Sequence, residues 1–576
     1  MSDDECASMS SALSQFFSDK VARIQHTIAD FIKTISCGPV QMVRPFIGSP
    51  LLVFTNVSSA EVVKLIGSMP NKSSPRDVLP TSLLKSCPDE FAPLIAHLTN
   101  RSFTDGVFPH LFKTAQVLPL LKKPGLDRVN PANYRPISNL STISKIVERL
   151  VLVRLRPHLL ASGNFNPLQS AYRSGHCTET ALLRMMDSFY KAADDKKLTT
   201  LISLDISAAF DTISHSILLR RLEMEFGVTG TALNWLHSYL TDRRQYVKLG
   251  QHCSDTVLCS SGVPQGSVLG PLLFAAYVSP VGDLIKRHEV DHHQYADDTQ
   301  LFLSMKASSM TTDLLKLESC SQAVKAWFAA NELLLNADKS DVMFIGTSAQ
   351  LCTAKNVASI AVAGASLHPT DELKSLGVVI DSRLTFAAHA LAVRKACNYH
   401  IWALQHIRHL LSLDVTKTLA CSIVGARLDY CNSILYGAPM STILKLQRVQ
   451  NSLARVVLQQ PKRSHAEPLL RTLHWLPIKQ RIHYKLATLT YKVRATSTPS
   501  YLSDLIPART TGTRMSLRSA SRTLLTVPST RTVMASRAFS VCAPVVWNSL
   551  PESVQSCDCF KTFKTRLKTF LFNSAF

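Results

Sequence analysis

Apolar positions along the chain change period several times, and each change marks a different kind of element. Near the start, SQFFSDKVARIQHTIADFIKTI repeats apolar residues at three- and four-residue spacing, which predicts a short helix within residues 1–60, followed by a Pro/Gly-punctuated stretch. From Glu61 to about Asn130, prolines at 70, 75, 80, 88, 93 and 109 break the pattern and predict helices and loops. From about Ala132 to Gly346 strands and helices alternate. TLISLDI is a β-branched run suited to a buried strand, and ALNWLHSYL suits a helix. Leu314, Leu317, Val324, Trp327 and Phe328 recur near helical spacing within 311–335, predicting an amphipathic helix. Beyond about Ala390 the pattern is mostly helical. It ends in FKTFKTRLKTF, which sets Phe560, Phe563, Leu567 and Phe570 on one face with Lys561, Lys564 and Lys568 beside it.

A chain of 576 residues exceeds one compact core, so two to four domains are expected. At 46% hydrophobic and 18% charged, the composition excludes a disordered protein. Lys and Arg number 63 against 41 acids, a net charge of +22, which points to a polyanionic partner, nucleic acid ahead of an acidic membrane surface. Between Asp504 and Glu552 no acid occurs, while Arg509, Arg514, Arg518, Arg522, Arg531 and Arg537 do; phosphate contacts and a solvated linker both fit. The 14 cysteines form no regular framework and no signal peptide precedes them, which predicts a reduced intracellular protein of cytoplasm and nucleus. No apolar run approaches a bilayer span, so no membrane partner is expected.

Chemistry concentrates in three segments. Tyr295-Ala296-Asp297-Asp298, flanked by apolar and aromatic residues, reads as a tight turn between two short strands. Adjacent carboxylates repel unless a cation neutralises them, although a solvated hairpin turn carries the same residues. Asp205 closes the strand TLISLDI and can meet that turn across neighbouring strands; it can equally cap a following helix. Three converging carboxylates could hold two divalent ions roughly 3.5–4 Å apart, the arrangement of in-line phosphoryl transfer, and Mg²⁺ suits a site of few carboxylates plus phosphates. Between these acids lies SSGVPQGSVLGPLLF (260–274), a rigid, side-chain-poor loop that permits close approach and presents Gln265.

These blocks, in order, resemble the reverse transcriptase of LINE-type, non-LTR retrotransposons, the second open reading frame of jockey-like elements. The set comprises NYRPISNLSTISKIVERLV (133–151), LQSAYRSGHCTETAL (168–182), LDISAAFDTISH (204–215), SGVPQGSVLGPLLF and YADD, then NELLLNADKSDVMFIG (331–346) and LKSLGVVIDSRLTF (373–386). The likeness runs from about Lys72 to His389, and CSIVGARLDYCNSILYG, LHWLPIKQRIHYK and APVVWNSLP extend it toward the C-terminus. It implies an α/β right-hand polymerase whose α+β palm carries an antiparallel sheet, with a helical thumb and a mostly helical basic C-terminal region. The expected boundaries are an N-terminal helical segment (1–60), an N-terminal extension (61–102), fingers and palm (103–380), thumb and helical connection (390–500) and the basic region (501–576).

The resemblance also implies roles. Asp205, Asp297 and Asp298 would be the catalytic carboxylates and, with the Ile206 carbonyl, the ligands of two Mg²⁺ ions, Mn²⁺ being a substitute. Phe210 would exclude a 2′-hydroxyl, Arg135 would reach the triphosphate with Arg173 as a second candidate, Gln265 and Gly266 would contact nucleotide and template, and Lys339 would protonate pyrophosphate. RNA template, DNA primer or target and dNTPs would be the partners. Ala171 and Cys177 depart from the usual Gly and Ser or Thr, and the upstream endonuclease of such elements is not expected within this chain. An RNA-dependent RNA polymerase fits less well: Phe210 holds the sugar position, and Asp211 is expected to point away in an extended strand. A catalytically silent or domesticated nucleic-acid-binding relic is the rival of a different class.

Overall fold

Strand-forming residues gather into two main sheets, wrapped by helices on both sides of the second. The computed structural model describes residues 3–34, 44–71, 77, 79–509 and 524–576. Following the chain, β1 (Thr114–Leu121) and β2 (Tyr134–Asn139) precede β3 (Leu198–Ser207). Then come β4 (Arg243–Leu249), β5 (His252–Cys253), β6 (Val257–Cys259), β7 (Asp291–Tyr295), β8 (Asp298–Met305) and β9 (Leu334–Ile345). The first sheet runs β2-β1-β4-β5 with β6 also on β4, and the second runs β7-β8-β3-β9, antiparallel throughout. The mixed α/β architecture, with the acids on an antiparallel sheet, is the one expected.

The second sheet is buried on both faces, and its central strand explains why. Leu198, Ile202, Leu204 and Ile206 of β3 join one hydrophobic core, while Leu201, on the opposite face, joins another. Period-2 alternation thus feeds two cores from one strand. The first core takes in the helices Pro88–Asp105, Thr142–Ala161, Gly230–Leu240, Gly270–Val278 and Met310–Ala330. The second passes from the helix Thr178–Asp194 through Phe302 and Met343 and continues as far as Leu571.

Three expectations are corrected here. The N-terminal helix is long, Asp3–Thr34, because Met9, Leu13 and Phe17 bury against Val117 and Val247 of the first sheet, and Ile24 and Ile28 bury against Ala329. The stretch 61–130, expected to be helix and loop, contains β1. Its Pro119 is tolerated because it faces Pro136 across the β1–β2 pair and lies beyond the last β4 partner, Val117. Finally, the basic stretch after Asp504 is partly structural: Arg537 is buried, its guanidinium over the rings of Tyr190 and Phe386, and the Arg531 N–H donates to Asp194. Arg514, Arg518 and Arg522 lie outside the described residues. No helix among the described residues is long and apolar enough to cross a membrane.

Candidate active site

The acidic turn forms where two strands end. Tyr295 pairs with Asp298, so Ala296 and Asp297 are the two turn residues joining β7 to β8, with Ala296 at φ +58°. A left-handed first turn residue matches the twist of the flanking strands, which is why so tight a connection closes here. The β3–β8 register ends at Leu204 opposite Thr299, and one step further along both strands sets Asp205 against Asp298. Cross-strand neighbours share a face with Cα atoms about 5 Å apart. Asp205 sits within β3 and not at a helix N-terminus: the next helix begins at His215, so the capping alternative is excluded.

On its other side β3 meets β9 through an irregularity. Ser203 pairs with Asp341 and Asp205 with Asn336, leaving Leu204 alone against residues 337–340. That bulge sets exposed Lys339 within electrostatic reach of Asp205, whose carboxyl it pulls down against the larger effect of burial.

All three acids are half-buried, and burial is the largest influence on each. It raises Asp205 against the pull of Lys339. It raises Asp297, whose own backbone N–H and Arg135 act in the opposite direction while Asp205 adds to the rise. Asp298 goes up to about 6, through burial, then Asp297, then Asp205. The acids are therefore mutual neighbours with more negative charge than the exposed Lys339 and Arg135 offset.

The remaining candidates divide. Phe210 closes a turn, Ala208–Asp211, and its ring stacks on Phe274 at 5.0 Å and 25°. Ile206 follows Asp205 in β3, paired with Leu335. Gln265 lines a cavity of about 210 Å³ roofed by the N-terminal helix, and its carbonyl accepts from the Ser138 N–H at 2.8 Å. Gly266, at φ +130°, leaves no room for a Cβ, which would fall 2.5 Å from the Ser138 carbonyl; the close approach is to the protein's own backbone. Arg173 turns inward, donating to the carbonyls of Pro167 and Gln169, each at 3.0 Å. Asp211 is in that turn and not in an extended strand. It lines the same cavity as Gln265, where burial pushes it up to about 6.

Pattern reading overlooked three neighbours. Glu148, fully buried in the helix Thr142–Ala161, accepts from the Val268 and Leu269 N–H groups and from the Tyr239 hydroxyl, anchoring the glycine loop. Tyr172, exposed at φ +62°, has its phenol pushed up to about 12 by desolvation and then by Asp297 and Tyr295, which sets it at the acidic turn. Gln169 bonds the turn itself. A glutamate inside an apolar helical stripe was the available signal for Glu148; for the other two none exists without tertiary contacts.

The acids offer hard oxygens only, a donor set for Mg²⁺ or Mn²⁺ and not for softer metals. Among the described residues no three His, Cys, Asp or Glu side chains close round one point, so an ion here would draw part of its shell from outside the protein, as Mg²⁺ on phosphates does.

Residues 121–380 match the family model described as reverse transcriptase (RNA-dependent DNA polymerase). The chain is 30% identical over 489 residues to the probable RNA-directed DNA polymerase from transposon BS of Drosophila melanogaster, covering 82% of this chain and 51% of that one. It is 29% identical to the probable polymerase from the X-element of the same fly (71% and 44% covered) and 26% identical to that from the mobile element jockey (73% and 46%). The chain thus spans about half the length of the curated relatives it matches. A telomerase structure from Candida tropicalis aligns over 52% of this chain and 59% of that one at 13% identity and TM-score 0.33, too weak a likeness to argue from.

Proposed function

We propose that this chain, which belongs to the reverse transcriptase family of LINE-type, non-LTR retrotransposons through residues 121–380 and its jockey-like relatives, is an RNA-directed DNA polymerase that adds deoxynucleotides to a DNA 3′ end on an RNA template. The observation that carries this reading is the register that sets Asp205, inside β3, against Asp298 at the start of β8, one residue from Asp297 in the turn. The second sheet is the palm, the first sheet the fingers, and the helices beyond residue 390 the thumb and connection.

Two Mg²⁺ ions held by Asp205, Asp297, Asp298 and the Ile206 carbonyl would supply the Lewis-acid charge that activates the attacking 3′-hydroxyl and steadies the leaving pyrophosphate. The residues themselves do the positioning. Arg135, exposed on β2 and within electrostatic reach of Asp297, meets the triphosphate from the fingers side. Lys339, within electrostatic reach of Asp205, donates a proton to the departing pyrophosphate. Phe210, braced on Phe274, forms the wall under the sugar and excludes a 2′-hydroxyl. Gln265 and Gly266 contact the nucleotide and template, while Arg173 braces its own loop in place of the triphosphate.

Primer extension on poly(rA)/oligo(dT) with Mg²⁺ or Mn²⁺ tests this directly. Extension by wild type and its loss in Asp297→Asn are expected; an inert wild type, or full activity in D297N, overturns the reading.

A further inference from the structure

The acidic turn is held from outside the sheet by one side chain. Gln169 is fully buried, and its amide grips Ala296 from both directions. Oε1 accepts from the Ala296 N–H at 2.9 Å, and Nε2 donates to the Ala296 carbonyl at 3.2 Å. The same Oε1 takes the Ala171 N–H at 3.1 Å, so the amide is tied to its own strip as well as to the turn. Both peptides flanking Ala296 are thereby fixed, and the second of them leads directly into Asp297.

The strip that carries Gln169 is itself anchored. It bridges β7, with Gln294 N–H to the Leu168 carbonyl at 3.1 Å and Ser170 N–H to the Gln294 carbonyl at 2.9 Å. The Ser170 hydroxyl meets His293 Nε2 and the Tyr501 hydroxyl, each at 2.8 Å, and Arg173 caps the strip's carbonyls. β7 is the edge of its sheet, so without this strip the outer side of the turn would have no backbone partner.

Two features make the choice of residue specific. Ala296 holds the left-handed φ that the tight turn requires and a side chain disfavours, so bonds to both of its peptides offset a strain the turn itself carries. A neutral amide is the one side chain of this length that offers acceptor and donor together without adding charge beside three carboxylates.

We propose that Gln169 is a positioning residue for the cation-binding carboxylates, locking the peptides around Ala296 so that Asp297 and Asp298 meet a divalent cation already oriented. This rests on the polymerase reading above and adds a determinant outside the acids themselves. Outer partners of this kind typically govern metal affinity or activity by about 10–100-fold.

The test is Mn²⁺ binding measured by electron paramagnetic resonance, with a 3′-dideoxy-ended poly(rA)/oligo(dT) hybrid and dTTP present, so that substrate phosphates complete the ion's shell and no extension occurs. Gln169→Met keeps the volume and removes both hydrogen-bonding functions. The expected result is a folded protein that binds the hybrid as wild type does, with Mn²⁺ affinity about tenfold or more weaker. Primer extension on the same protein should show a lower kcat with little change in KM for dTTP. A stability control is Ser102→Ala, which removes the distant buried bond from Trp235 Nε1 at 2.8 Å. Ser102→Ala should lower the melting temperature and leave Mn²⁺ affinity alone. If Q169M melts below assay temperature, Gln169→Asn, with its amide withdrawn by one methylene, provides the same comparison. Unchanged Mn²⁺ affinity in the Gln169 variants, or equal weakening in S102A, overturns the proposal alone. A wild type that binds no Mn²⁺ overturns the polymerase reading beneath it.

Discussion

Asp298 shows what the acidic turn costs the fold. Its ordinary value of 3.8 is raised to about 6, first by burial, then by Asp297 and Asp205. An acid raised in the folded state stabilises the fold fully below its unfolded pKa, and that contribution disappears as pH rises through the folded value. In metal-free protein, Asp298→Asn should therefore raise stability at pH 7.5 by about 1–3 kcal/mol, a gap narrowing toward pH 4.5. Thermal melts at the two pH values check it, and a pH-independent gap would contradict the electrostatic account. Phe210 is the second test at this scale. It is half-buried against Phe274, so Phe210→Ala should cost less than the roughly 3–5 kcal/mol of a fully buried Phe. Discrimination against ribonucleotides should fall by at least about tenfold, read as the ratio of kcat/KM for dTTP and UTP. The types of these residues, and a meeting of Asp205 with the acidic turn across neighbouring strands, were legible in the sequence; the residue that Asp205 faces was not, because the β3–β8 register sets it.

At the scale of elements, the glycine loop is held by a carboxylate far away in sequence. Glu148 lies on a helix where Ile146, Val147, Leu150 and Val151 are buried beside it, and the buried Ser144 hydroxyl donates to its Oε1 at 3.3 Å. Its Oε2 gathers the Val268 N–H at 2.7 Å, the Leu269 N–H at 3.1 Å and the Tyr239 hydroxyl at 3.1 Å. Glu148→Ala strands four donors, the Ser144 hydroxyl among them, and a loss of about 3–5 kcal/mol in urea unfolding is expected. A loss below about 1 kcal/mol would mean that water or a rearranged loop replaces the carboxylate. The strands show a parallel limit. TLISLDI was readable as a strand from its β-branched run, whereas β1 lay in a stretch whose prolines pointed to helix and loop; its own Pro119 is accommodated opposite Pro136 and beyond the last β4 partner.

For the whole molecule, one core joins the second sheet to the last helix. Phe189, Phe302, Met343, Trp547, Phe563 and Leu571 belong to a single buried cluster, and Arg537 is buried within reach of the Tyr190 and Phe386 rings. A chain ended at residue 523 would uncover that cluster. It should melt at least about 10 °C lower than the full chain or fail to stay soluble, as calorimetry and sedimentation would show. An unchanged melt would mean that the C-terminal region folds independently. Local pattern and ordered motifs were enough to determine the α/β class, the acidic turn, the strand bearing Asp205 and the family, because period, turn chemistry and residue order are written along the chain. Only the tertiary structure decided the bulge that sets Lys339 within electrostatic reach of Asp205, the inward turn of Arg173, the burial of Arg537 and the grip of Gln169 on Ala296. Those contacts join segments far apart in sequence, and a long-range hydrogen bond leaves no periodic trace in either partner. The two aspartates of the turn are written in the chain, whereas the direction in which they point is set by residues distant from them.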